Sequence, residues 1–151
     1  MSKIKTLSSL KKIITRLKRA KKRIVFTNGC FDILHPGHLK ILHFAKQKGD
    51  ILIVALNSDS SVKKIKGPSR PIFNEKARAQ LLESLQIVDY VIIFKEDTPY
   101  NLIKLLKPHI LIKGGDWKKN EIVGSELVDM IYRVKLYRRY STSNIIKKVK
   151  K

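Results

Sequence analysis

Apolar residues recur along this chain in two rhythms, short continuous runs and stripes at i, i+3 and i+4, and the alternation of the two predicts the architecture. Compact runs rich in β-branched residues fall at about 23–27 (Arg-Ile-Val-Phe-Thr), 51–56, 88–94, 110–113 and 134–137, each the length of a strand buried on both faces. Between them, helical spacing predicts helices near 38–47, 75–86, 99–107, 121–131 and 142–149. Ahead of the first strand, Leu7, Leu10, Ile13, Ile14 and Leu17 make one apolar stripe, which predicts an amphipathic N-terminal helix over 7–20, with residues 1–22 as helix and lead-in. The whole reads as an α/β fold, an open sheet of about five parallel strands with helices on both faces. Right-handed crossovers bring the carboxyl ends of such strands to one rim, where open α/β sheets bind ligands.

Four polar clusters fall on that rim. After the first strand, His35 and His38 flank Pro36-Gly37 where helical spacing begins, so both side chains share a helix face beside the free amides of its first turn, a setting for anions. Asn57-Ser58-Asp59 follows the second strand, either as a turn capping a helical segment or facing a ligand. Lys113-Gly114-Gly115-Asp116 follows the fourth; its glycines either turn the chain or let backbone amides approach a ligand beside the Lys113 charge. Ser141-Thr142 follows the fifth, as a plain helix cap or as hydroxyls and amides for a phosphate. Lys63, Lys66 and Arg70, in and beside the loop Gly67-Pro68-Ser69-Arg70-Pro71, are either solvated charges or a basic cover that closes over the phosphate site.

The 151 residues, 43% of them hydrophobic, suit one domain over 1–151. No apolar run reaches a membrane span and the N-terminus lacks a signal-peptide core, so the expectation is a soluble cytoplasmic protein. The single Cys30 forms no internal disulfide and with scattered histidines makes no metal cage; it packs behind the phosphate loop rather than acting as a nucleophile. The net charge of +21 raises the question of nucleic acid, but lysines spread over nearly every segment without a groove-reading motif, and no nucleic-acid partner is expected. The charge instead draws in anionic substrates or reflects a genomic bias toward Lys and Ile.

The segment His35-Pro36-Gly37-His38 resembles the HxGH signature of the nucleotidyltransferase superfamily, which implies a Rossmann-like sheet. In order, Thr27 to Asp32, His35 to His38, Asn57-Ser58-Asp59, Lys66 to Pro71, Val88 to Val91, Glu96 to Pro99, Lys113 to Asp116, Val123-Gly124 and Ser141-Thr142 resemble the heptose 1-phosphate adenylyltransferases over about residues 7–149. The resemblance implies transfer of an adenylyl group from ATP, with Mg²⁺, to D-glycero-D-manno-heptose 1-phosphate, giving ADP-heptose and pyrophosphate. It implies that His35 and His38 steady the phosphates and that Asp32 orients the acceptor or a metal-bound water. Thr27, Asn28, Gly29, Cys30, Phe31, Gly37, Lys63, Arg70, Lys113, Gly114, Gly115, Asp116, Ser141 and Thr142 would face the nucleotide and its phosphates, and Asn57 and Asp59 the acceptor. It further implies a stand-alone form without the sugar kinase that some relatives carry, and a homodimer. Arg138-Arg139-Tyr140 departs from the acidic-glycine turn common before the Ser-Thr pair; these arginines either touch phosphate or are surface charges. Two other readings remain: a cytidylyltransferase acting on glycerol 3-phosphate or a similar alcohol, and a non-catalytic basic binding module, against which the intact His35, His38, Ser141 and Thr142 speak.

Overall fold

The computed structural model describes residues 1–115 and 117–151. Five strands, β1 (Ile24–Gly29), β2 (Ile51–Asn57), β3 (Tyr90–Phe94), β4 (Ile110–Gly114) and β5 (Met130–Val134), form one parallel sheet in the order β3-β2-β1-β4-β5. The order reverses between β1 and β4, which opens a crevice at their carboxyl ends. Thr27 ties that junction by donating from Oγ1 to the Ile112 carbonyl, 3.0 Å away.

The described residues also form six α-helices: α1 (Leu7–Arg19), α2 (Pro36–Gln47), α3 (Asp59–Lys66), α4 (Glu75–Glu83), α5 (Tyr100–Leu106) and α6 (Thr142–Val149). Strand alternation splits the core into two layers. Val25, Leu52, Val54 and Leu56 pack with Leu42 and Ala45 of α2 and Ala79 and Leu82 of α4. Ile24, Phe26, Ile53 and Ala55 pack on the other face with Leu10 and Ile14 of α1 and Leu102, Ile103 and Leu106 of α5. The helix starts follow local chemistry: Thr6, Ser58, Asn74 and Ser141 each accept the amide three residues on. Ser58 is thus the cap of α3, while Asn57 beside it lines the cleft described below.

Three elements differ from their sequence expectation. The helix expected near 121–131 is replaced by two 3₁₀ turns, Lys119–Glu121 and Ser125–Leu127, with Gly124 between them at φ 82, a left-handed conformation that breaks helical continuity. The fifth strand accordingly comes earlier, at Met130–Val134 rather than 134–137, pairing Ile110 with Met130 and Gly114 with Val134. The lead-in to α1 also does more than connect: Lys5 donates to the Val91 carbonyl and Val91 to that of Lys3, which covers the outer edge of β3. Among the described residues, no helix is long and apolar enough to cross a membrane.

Candidate active site

The crevice above β1 and β4 is a cleft of about 680 Å³. Most of the expected site residues meet there: Thr27 to Asp32, His35, Gly37, His38, Asn57, Arg70, Lys113, Gly114, Ser141 and Thr142 all line its wall. Phe31 bends the chain out of β1 at φ 45, a left-handed conformation that is strained for a bulky side chain. This turn sends Asp32 inward and leads to α2.

His35 is the N-cap of α2. Its Nδ1 accepts the Gly37 amide at 3.0 Å, so the proton of the neutral ring sits on Nε2 and remains available for donation. The His38 ring stacks on it with centroids 3.8 Å apart, and Phe31 lies 5.2 Å from His38 on a tilted ring. Burial pushes the His38 pKa down to about 4, helped by the neighbouring His35, and burial also lowers that of His35. His38 Nδ1 is buried without a hydrogen-bond partner among the described residues. Across the cleft, Ser141 caps α6 through Oγ to the Asn144 amide (3.1 Å), and the first-turn amides of Thr142 and Ser143 have no carbonyl within the helix to reach. The two helix starts adjoin: a Cβ on Gly37 would lie 3.5 Å from the Tyr140 carbonyl oxygen. Positive helix ends and histidine donors thus converge, and Lys66, Arg70 and Lys113 add cationic side chains to the same wall. Burial lowers the Lys113 pKa, and its ammonium lies 5.5 Å from the centre of the Trp117 ring.

Asp32 has a different surrounding from that of a free base. Fully buried, it accepts Arg70 Nε at 2.6 Å, the Ile72 amide at 2.8 Å and the Phe73 amide at 3.1 Å. Burial works to raise its pKa, but these donors outweigh it and hold the carboxyl below its usual value. Asp32 therefore fixes the 70–73 segment over the cleft. Cys30 has its thiol pKa raised by burial, which outweighs Lys66, Arg78 and Arg70 nearby and keeps it protonated at neutral pH.

Three expected residues stand off the cleft wall. Asp59 turns to Arg78, with Oδ1 2.8 Å from Nη2. Gly115 is tied to β5 by its amide, which donates to the Val134 carbonyl. Lys63 points to solvent from α3, and Lys66 at the end of that helix reaches the cleft instead. Asp116 lies outside the described residues. The cleft also takes residues that the sequence did not single out: Ile41, Leu136 and Trp117 form an apolar wall around Gly114, whose added Cβ would come 2.5 Å from Ile41 Cδ1 and 2.9 Å from Leu136 Cδ2. Their signal in the sequence is no more than that of ordinary core residues. Arg78, fully buried, was likewise unmarked, because an arginine in an amphipathic helix reads as surface.

The sequence profile of the cytidylyltransferase-like family matches residues 26–148. The chain is 54% identical over 148 residues, 98% of its length, to bifunctional protein HldE of Aliarcobacter butzleri, and 54% identical over 142 residues to bifunctional protein HldE of Helicobacter pylori strain J99. In both cases it spans 31% of the relative's length. Among solved structures it is similar to a lipopolysaccharide core biosynthesis protein from Thermoplasma volcanium, at TM-score 0.66 and 30% identity over 77% of this chain and 98% of that one. Pantoate-beta-alanine ligase from Francisella tularensis shares the fold, at TM-score 0.65 and 17% identity over 99% of this chain and 77% of the ligase. The profile covers the histidine turn, the crevice and the α6 cap together, and the chain belongs to the cytidylyltransferase-like family of nucleotidyltransferases.

Proposed function

We propose that this chain transfers the adenylyl group of ATP to D-glycero-D-manno-heptose 1-phosphate, releasing pyrophosphate and forming ADP-heptose. The observation that carries the reading is the convergence of the stacked His35/His38 pair and the open first turn of α6 on one cleft, a geometry suited to a nucleoside triphosphate. The acceptor is supported by the ordered motifs from Thr27 to Thr142, by identity to the bifunctional HldE proteins, and by likeness to a protein of lipopolysaccharide core biosynthesis.

In this reaction an oxygen of the sugar phosphate forms a bond to the α-phosphorus while the bond to the bridging oxygen breaks, and its electron pair leaves with pyrophosphate. Alignment and charge neutralisation are what the protein supplies. His35 donates from Nε2–H to the phosphates without first taking up a proton, and His38 contacts the same group from the second position of the pair. Ser141, Thr142 and the α6 amides hold the terminal phosphates, and Lys113 and Arg70 offset the remaining charge. Asp32 positions Arg70. Cys30, protonated, takes no part as a nucleophile. Mg²⁺ would be held chiefly by the phosphates of ATP and would offset their charge. Such a reaction belongs in the cytoplasm, where ATP is.

The family's cytidylyltransferase-like character favours one second reading, CTP with a small phosphorylated alcohol. Pyrophosphate release separates the two. Purified protein with MgATP and each anomer of the heptose 1-phosphate is compared with CTP and glycerol 3-phosphate. Turnover with ATP and one anomer is expected; turnover confined to CTP would overturn the assignment.

A further inference from the structure

Arg78 is the largest fully buried side chain among the described residues, yet its guanidinium does not line the cleft. Burying an arginine costs several kcal/mol unless its donors are met, and an apolar residue would fill the space with less penalty. Its donors go to segments that border the site. Nη1 donates to the Cys30 carbonyl at 2.7 Å and to the Asn57 carbonyl at 2.8 Å, Nε to the Phe73 carbonyl at 2.9 Å, and Nη2 to Asp59 at 2.8 Å. Cys30 lies just after β1, Asn57 ends β2, and Phe73 closes the loop that carries Arg70. That loop is also held by Asp32, which accepts the Ile72 and Phe73 amides and Arg70 Nε.

We propose that Arg78 is a positioning residue of the active site: its planar fork latches the histidine-bearing β1–α2 turn, the end of β2 and the Arg70 loop into one rigid rim. The fork is needed because three carbonyls and a carboxylate are shared among Nε, Nη1 and Nη2, and a single lysine ammonium cannot meet all four. Arg78 touches no phosphate. It acts through the segments it joins, so its loss damages alignment more than nucleotide binding, which averages over many contacts.

The test is Arg78→Lys, read by hydrogen exchange and by turnover. Exchange at the Ile72 and Phe73 amides is expected to quicken at least tenfold while that of Val54, in the centre of β2, stays at the wild-type rate. Turnover per folded molecule falls at least 30-fold. The ATP dissociation constant, followed by fluorescence of Trp117, the only tryptophan, weakens less than fivefold. Wild-type protection at Ile72 and Phe73, exchange that rises equally at Val54, or turnover within threefold of wild type would each overturn the proposal. Asp59→Asn weakens only the Nη2 contact, at the half-exposed end of the network, and serves should Arg78→Lys fail to fold; it is expected to loosen the same two amides about threefold, and unchanged protection there contradicts the latch. The exchange measurement needs no acceptor, so it decides the role of Arg78 even if the heptose phosphate proves to be the wrong substrate.

Discussion

Replacing Gly37 with alanine should separate catalysis from folding. The new Cβ would stand 2.8 Å from His35 Cε1 and 2.9 Å from Nδ1, closer than carbon atoms pack, while nothing on the backbone side resists it beyond the Tyr140 carbonyl at 3.5 Å. The side chain that yields is the His35 ring, which must leave its cap on the Gly37 amide and its stack on His38. Losing the cap costs about 0.5–2 kcal/mol. Exchanging glycine for alanine within the helix recovers up to about 1 kcal/mol. The net change in stability therefore lies between a gain of about 0.5 kcal/mol and a loss of about 2 kcal/mol. Turnover is another matter, because displacing a phosphate-contacting donor by about 1 Å costs roughly 100-fold, or about 2.7 kcal/mol of barrier. Urea unfolding and steady-state pyrophosphate release on the same preparation make the comparison. A variant that keeps its turnover within threefold of wild type, or that loses turnover only in step with its folded fraction, would refute the idea that His35 must sit where Gly37 lets it.

Further outcomes follow from the same geometry. With a pKa near 4 in the fold against 6.5 for the free side chain, His38 takes up its proton later than the unfolded chain does; the stability it contributes is whole above pH 6.5 and is lost as pH falls toward 4, by about 3 kcal/mol at most. Urea unfolding at pH 7.5 and 4.5 checks this, and His38→Ala should flatten the dependence while lowering turnover far more than stability; an unchanged slope contradicts the assignment. Alkylation of Cys30 by iodoacetamide at pH 7.5 should run well below the rate of a free thiol and slow further with ATP, whereas a rate matching free cysteine would mean that the thiol is neither protonated nor shielded. Gly114→Ala drives a methyl into Ile41 and Leu136, which should cost about 1–3 kcal/mol of stability and raise the KM for ATP; an unchanged KM would place the nucleotide elsewhere in the cleft.

The parts of this molecule that were legible in the sequence are those whose signal is local. β1, β2 and α2 were found because a continuous apolar run and a 3.6-residue stripe each report burial directly, and the His35/His38 turn because two histidines at i and i+3 beside Pro-Gly share one helix start. The helix expected near 121–131 and the strand expected at 134–137 give way to other elements because the apolar residues there fit helical spacing, while the left-handed Gly124 and the pairing of β5 with β4 that override it are tertiary facts. The partners of Asp32 are tertiary facts as well. Its type and place suggested chemistry, but that Arg70, Ile72 and Phe73 fill its lone pairs depends on a loop 40 residues away returning over it. Asp59 and Lys63 illustrate the limit of motif reading: the right segment reaches the rim, yet which side chains of a helical turn face the cleft is set by packing, with Arg78 holding one and solvent the other.

The most direct test of the central claim is phosphorus NMR of the protein incubated with MgATP and the heptose 1-phosphate. Adenylyl transfer predicts loss of the triphosphate and sugar-phosphate resonances and the appearance of pyrophosphate with the coupled pair of a sugar diphosphate, in equal amounts. Formation of ADP and inorganic phosphate, or retention of the sugar monophosphate while ATP and active protein are present, would contradict it.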